Sequence, residues 1–439
     1  MKRITTAILA LALPFQLLLG QSNVEGKLND LNLPEILKFT NGQKVKKNQW
    51  PERRQEILDI YQKEMYGVIP PPPATMVLET LEEGATLGAY ATRRQVRMWF
   101  SEDKTGPEID WMIITPNHVK GPVPTVLLLN FEGNHTLVSD KEVVLPESWM
   151  HAADNNHSAS EADRGKFIDP NSRSIVPLNM LIAQGYAVVT ACYADISPDP
   201  DTGTKDADGK ELQNYLAYTG IFELWGERDE SRTDNTTALG AWSWGLMRGM
   251  DLIEKDPRLD AKRVVLTGCS RLAKAALIAG AFDERFPVVV LNQSGGGGAP
   301  LHKHYFGENV KTMTQMFKHW YCKSYAKYVE KESEMPFDQH MLLSCIAPRA
   351  LMIQGFNEPW FDTEGEFLAL KAASPIWEFL GEEGLPQVEW PDTYDLSAVG
   401  RKLAYYRRDN LHGIAAFDWV QMIEFAEKLF GCSRNCKEQ

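Results

Sequence analysis

Cysteine is scarce in this chain, six in 439 residues, which excludes a scaffold held together mainly by disulfides. Basic residues are outnumbered, 46 against 59 acidic, so the formal charge is −13. A surface that acidic repels phosphate backbones and anionic lipid, and argues against nucleic-acid or membrane-surface partners. Internal repeats, low-complexity tracts and an HExxH pair are all missing. What remains is ordinary globular composition, 44% hydrophobic and 24% charged, which excludes collagen, coiled coil and wholesale disorder. A chain of this length buries a large core without staples.

One apolar run stands out, residues 4–19, preceded by Lys2 and Arg3 and followed by Gly20, Gln21 and Ser22. It is short for a membrane span of ~20 residues. A basic start, a brief apolar core and a small polar exit read instead as a secretory signal peptide, residues 1–21, cleaved near Gly20 to Ser22. No cysteine follows Gly20, so a lipoprotein anchor is not expected. The mature protein is expected to be secreted or periplasmic, where disulfides form. Cys432 and Cys436 are close enough in sequence to pair. Residues 22–75 read as a helical lead-in packed on the core. Helical spacing runs over 53–65 (RRQEILDIYQKEM), and Pro70 to Pro73 then stops any helix.

From residue 76 onward, strands and helices alternate. Strand patterns occupy 94–100, 109–114, 125–130 (TVLLLN), 187–194, 263–267, 287–292, 350–354 and 403–406. Helical patterns occupy 179–184, 237–254, 272–282, 338–346, 364–380 and 415–430. The short continuous apolar runs suit strands buried on both faces. Such alternation predicts an α/β fold, a mostly parallel sheet between two helical layers, in a single catalytic domain over 76–439. Sites of these sheets lie beyond the C-terminal strand ends. The long irregular stretches 132–173, 197–232 and 294–312 are therefore expected to face substrate.

One junction carries chemistry. The strand at 263–267 runs into Gly268-Cys269-Ser270-Arg271, and a helix rich in Ala and Leu follows at once. A serine on a sharp strand-to-helix turn is lifted above the sheet, with a helix N-terminus behind it that favours developing negative charge. Ser270 is thus the candidate nucleophile, against the alternative of a simple helix cap. The partners of a triad follow in the order Ser, acid, His. Among nine histidines only His412 follows the last strand, just before the closing helix. For the acid, the loop after 350–354 offers Glu358 and Asp362, with Glu358 nearer the strand end. The loop after 287–292 begins with Gln293, an amide that stabilises imidazolium poorly. His302 and His304 have no third ligand nearby, so no metal or cofactor is expected. His319 and His340 suit helix surfaces or satisfied core positions.

These residues resemble the glucuronoyl esterases, carbohydrate esterase family fifteen. Gly268-Cys269-Ser270-Arg271-Leu272-Ala273-Lys274 is similar to the family motif G-C-S-R-x-G-K, and Gln293 to Gly298, Phe306-Gly307-Glu308, the Trp360 loop and Leu411-His412-Gly413 support it. The resemblance implies an α/β-hydrolase three-layer sandwich that cleaves esters joining glucuronic acid side chains of xylan to lignin alcohols. It implies Ser270 as nucleophile, His412 as base and Arg271 as an oxyanion-hole contact, with Lys274, Glu308 and Trp360 holding the sugar. Gln293 stands where many members have their triad glutamate, whereas some bacterial members carry the acid in the loop that holds Glu358. The fungal bridge between the Cys before the nucleophile and a Cys beside the histidine is not expected, because Leu411 and Gly413 flank His412. The competing readings are an acetyl-xylan or feruloyl esterase on the same fold, and a noncatalytic carbohydrate-binding protein.

Overall fold

Six of the apolar runs pair side by side. The computed structural model describes residues 24–150, 157–168, 176–409 and 411–431. The expected signal segment, residues 1–21, and the pair Cys432 and Cys436 lie outside the described residues. The strands are β1 (Val77–Thr86), β2 (Ala91–Trp99), β3 (Glu108–Pro116), β4 (Val123–Asn130), β5 (Ala187–Cys192), β6 (Leu259–Cys269), β7 (Val288–Asn292), β8 (Ala350–Phe356) and β9 (Leu403–Arg408). They form one sheet in the order β1-β2-β3-β5-β4-β6-β7-β8-β9. From β5 across to β9 every pairing is parallel, and β1 to β3 add an antiparallel edge. Alternate side chains serve two cores. Leu127, Leu266, Val289 and Ile353 face one, and Val126, Val265, Val290 and Met352 the other. That double burial is what the continuous Val and Leu runs encode.

The helices in chain order are α1 (Val24–Asp30), α2 (Trp50–Tyr61), α3 (Leu178–Ala183), α4 (Tyr193–Ile196), α5 (Ala238–Lys255), α6 (Arg271–Phe282), α7 (Val310–Met316), α8 (Gln339–Ser344), α9 (Thr363–Ala373), α10 (Pro375–Leu380) and α11 (Ala416–Phe430). Helices α2, α5, α6, α8 and α9 cover the first core, and α3 and α11 the second. The three-layer sandwich expected from the alternation is therefore the architecture. None of the helices among the described residues is long and apolar enough to cross a membrane.

Two elements depart from expectation. Strand β1 carries few apolar residues because it is an edge strand with much of its length exposed, so periodicity does not mark it. The helix expected over 364–380 is two helices, because Pro375 has no N–H to continue α9 and instead starts α10. The lead-in ends in a π-helical turn, Gln62–Tyr66, that reaches the functional end of the sheet. Tyr66 is buried there, and its hydroxyl donates to the Gly297 carbonyl at 2.9 Å. Cys192, Cys269, Cys322 and Cys345 are buried free thiols.

The chain leaves β4 toward β5 on one side and returns as β6 on the other. A strand order that reverses in this way opens a crevice at the C-terminal ends of the two strands. β6 ends in that crevice at Cys269, and Ser270 follows.

Candidate active site

Ser270 sits at φ 57 and ψ −127, between β6 and α6, a conformation costly for a residue with a side chain. The turn is pinned on both sides. The Ser270 N–H donates to the Asn292 carbonyl of β7 at 3.0 Å, and its carbonyl accepts from the Ala273 and Lys274 amides of α6. Gly268 is a spatial requirement here, since a Cβ would lie 2.3 Å from the Leu272 carbonyl oxygen. Leu272 stands two residues after the serine, where hydrolase elbows usually have a second glycine. It packs instead into the core at 1% exposure.

His412 lies in the loop between β9 and α11, its ring stacked on Phe361 at 4.5 Å between centroids. Its Nδ1 is 2.7 Å from Oε1 of Gln293. Which end of that amide is oxygen follows from its other partners. Oε1 also accepts the Gly413 N–H at 2.9 Å, and Nε2 donates to the Gly413 carbonyl at 3.1 Å. The facing atom is thus an acceptor, so Nδ1 carries the proton and Nε2 keeps the lone pair a base needs. Gln293 is fully buried at φ 51, held in that uncommon region by its N–H bond to the Gln354 carbonyl at 3.0 Å. Because Asn292 bonds the Ser270 amide and Gln293 bonds the imidazole, adjacent residues of one strand end tie the serine and the histidine to a common frame.

This arrangement corrects the expected acid. The group on Nδ1 is the Gln293 amide. Glu358 is exposed, and its carboxylate caps the short turn Pro359–Phe361, accepting the Trp360 N–H at 3.4 Å. Asp362 is also committed elsewhere. It caps α9 through the Gly365 N–H at 3.0 Å and faces His304 Nδ1 at 2.9 Å. The physical reason is placement: Gln293 leaves β7 with its amide on the histidine loop, whereas the turn after β8 presents the Phe361 ring, not a carboxylate, to the imidazole. His302 is likewise engaged, with Tyr325 and Asp338, and among the described residues no cluster of metal-ligating side chains occurs.

Arg271 extends from the first turn of α6. Its Nη1 pairs with Asp199, which is fully buried and also takes His319 Nε2 at 2.7 Å and the Trp320 indole N–H at 2.8 Å. Burial works against that carboxylate, yet the Arg271 charge and these donors hold it well below the usual carboxylate range. The guanidinium lies over the Trp320 ring, 4.8 Å from its centroid, and its buried Nε has no acceptor among the described residues. The result is a fixed cation beside the nucleophile with a donor in reserve.

One helical turn after Ser270, Lys274 is 2% exposed, and its Nζ lies 3.2 Å from Glu308 Oε2. Burial lowers the Lys274 ammonium pKa, and the Glu308 charge opposes that shift. Glu308 Oε1 accepts the Trp360 indole N–H at 3.1 Å, and the Trp360 ring is 45% exposed. The three side chains form one connected unit ending in an open aromatic face. Glycine makes the approach possible: a Cβ at Gly296 would lie 1.9 Å from the Glu308 carbonyl oxygen.

A serine on a strained elbow, an imidazole oriented through Nδ1, a fixed arginine and a Lys–Glu–Trp unit lie at the C-terminal end of a parallel sheet. Comparison with known proteins shows the family of the chain. The chain is 35% identical over 412 residues to a carbohydrate esterase of an unknown prokaryotic organism, covering 92% of this chain and 90% of that protein. The chain belongs to the glucuronoyl esterases, carbohydrate esterase family fifteen. The family description "Glucuronyl esterase, fungi" matches residues 220–381. The solved glucuronoyl esterase of Solibacter usitatus superposes with a TM-score of 0.81 at 35% identity, covering 91% of this chain and 98% of that one. A 4-O-methyl-glucuronoyl methylesterase of Schizophyllum commune is 29% identical over 57% of this chain and 69% of its own length. As a member of this family the chain is a carboxylic ester hydrolase with an α/β-hydrolase fold.

Sequence reasoning missed the residues that hold the site in place. Asp199 lies in an irregular stretch, and only folding brings it to Arg271. Arg408, buried at the end of β9, pairs with Asp418 at 2.8 Å and donates to the carbonyls of Asp409, Leu411 and Gly413, bracing the His412 loop. The one sequence signal for Arg408 was a charge at the end of a buried strand.

Proposed function

We propose that this esterase cleaves esters of glucuronic acid, and its 4-O-methyl ether, carried as side chains on xylan, releasing lignin-type alcohols. The observation that carries the reading is the Lys274–Glu308–Trp360 unit one helical turn from Ser270. A buried ammonium and a carboxylate suit the hydroxyls of a pyranose, and an exposed indole face suits its apolar side. Beside the Trp360 loop, a groove of about 510 Å³, lined by Phe306, Glu358, Trp390 and Arg407 among others, leaves room for attached polymer.

The reaction is two-step acyl transfer. His412 Nε2 takes the Ser270 hydroxyl proton as Oγ attacks the C6 carbonyl, and Gln293 keeps the other ring nitrogen protonated and oriented. Developing oxyanion charge is met by the helix N-terminus and Arg271, where losing one donor typically costs ~3 kcal/mol of barrier. The imidazolium returns its proton to the departing alcohol. Water then attacks the glucuronoyl-serine ester with His412 again as base, which frees the acid and restores the hydroxyl. Gln293 is neutral, so its contact with the imidazolium is that of a dipole. The chain is proposed to be exported, on the strength of residues 1–21.

Kinetics on methyl and benzyl esters of glucuronate and galacturonate, beside acetylated xylan, test this reading. Selective turnover of the glucuronates is expected. Equal or better deacetylation would assign the site to acetyl-xylan.

A further inference from the structure

Behind the site lies a titratable group that acyl transfer leaves unused. Glu366, on α9, is fully buried. Its Oε1 accepts both the backbone N–H and the hydroxyl of Ser294, each at 3.2 Å. Ser294 directly follows Gln293, the residue that orients His412. The Ser294 hydroxyl oxygen in turn accepts the Ala299 N–H at 2.8 Å, which closes the glycine loop that packs on Glu308. One carboxyl group therefore braces both the imidazole's partner and the wall of the sugar site. Among the described residues its second oxygen has no hydrogen-bond partner of good geometry, and Gly355 makes room for it, since a Cβ there would lie 3.2 Å away.

We propose that Glu366 is a positioning residue of the esterase, holding the Gln293–Ser294 turn and through it the His412 imidazole.

Charged and titratable groups from every neighbouring element bear on it. Asp362 at the start of α9 adds like charge, with His304 engaged on its far side. Lys274 of α6 acts electrostatically but is bonded to Glu308. The Tyr405 phenol of β9 donates to the Thr363 carbonyl at 2.7 Å. Among the described residues no cation is paired with Glu366. Burial pushes its pKa up to about 8, partly opposed by the Ser294 bonds and reinforced by Asp362. The acid therefore stays protonated at neutral pH and ionises in mild alkali. The folded state keeps a proton that the unfolded chain loses near the ordinary glutamate value, so stability falls as pH rises through that interval.

The inference rests on the esterase reading, and the test separates the two. Wild type, Glu366→Gln and Glu366→Ala are compared from pH 5 to 10 by hydrolysis of methyl 4-O-methyl-glucuronate and p-nitrophenyl acetate, by fluorophosphonate labelling of Ser270, and by melting temperature. Glu366→Gln is expected to retain activity that Glu366→Ala loses by about tenfold in kcat. Its alkaline decline should move up by at least one pH unit, and its melting temperature should exceed that of wild type at pH 8.5 more than at pH 5.5. A wild-type alkaline limb in Glu366→Gln, or a loss equal to that of Glu366→Ala, overturns the proposal. If Glu366→Ala does not fold, the Glu366→Gln profile decides alone. If neither ester is cleaved but Ser270 labels, the substrate reading fails and the pH dependence of labelling decides for Glu366. Absence of labelling sinks both.

Discussion

Gln293 accepts the Nδ1 proton of His412 at 2.7 Å, and the main chain of Gly413 fixes which end of the amide it presents. An amide thus occupies the orienting position and sets the imidazole through its hydrogen bond.

Replacing Gln293 by alanine removes that orientation. A hydrogen bond to a group that becomes charged is worth about 1.5–3 kcal/mol, so kcat is expected to fall by about tenfold to a hundredfold. Glu358→Ala, which loses only an exposed turn cap, should cost far less. Steady-state kinetics on one glucuronate ester compare the two. A larger loss in Glu358→Ala would return the orienting role to the loop after β8.

Substituting Gln293 by glutamate tests the missing charge. A carboxylate there favours imidazolium, so the acid limb of kcat/KM should shift to higher pH. The same change takes the donor from the Gly413 carbonyl, so some thermal stability should be lost. A pH–rate profile and a melting curve read the two effects separately.

Gly268→Ala places a Cβ 2.3 Å from the Leu272 carbonyl. Backbone has to move, at a cost of about 1–3 kcal/mol, and Ser270 moves with it. Denaturant melts should show the destabilisation, and fluorophosphonate labelling of Ser270 should slow in the folded fraction. Ser270→Ala should abolish both turnover and labelling.

Asp199→Ala leaves the Arg271 guanidinium without its carboxylate. Breaking such a buried pair from one side costs about 3–5 kcal/mol. The pH dependence has a definite sign. The carboxylate's folded pKa is depressed, so its stabilisation is present above the ordinary carboxylate value and lost as pH falls through the lower native one. Wild type should therefore outlast the variant in neutral and mildly acidic buffer, with the gap closing in strong acid. Melting temperatures from pH 7 to pH 2 check this.

Glu308→Gln weakens the grip on Lys274 while keeping its shape. KM for a glucuronate ester should rise severalfold, with little change for p-nitrophenyl acetate, which has no sugar to hold. An equal loss on both esters would mean Glu308 serves the fold and not the substrate.

Much of this was legible in the chain itself. Val and Leu runs such as that within 125–130 specify strands buried on both faces, because the two cores demand apolar side chains on both sides of the sheet. Gly268 beside Ser270 is legible because a tight elbow tolerates no larger neighbour, and Lys274 is legible because one helical turn sets its distance from the serine. These are local relations, and local spacing encodes them. The partner of His412 was not legible. Gln293 is separated from His412 by 119 residues, Asp199 from Arg271 by 72, and Glu366 from Ser294 by 72. Only the order of strands in the sheet brings such pairs within hydrogen-bond reach. Chemical type alone favoured the carboxylate of Glu358 over an amide, and the tertiary structure decided otherwise, because a bond of 2.7 Å depends on where the backbone places each group and not on how well suited the group is to the role.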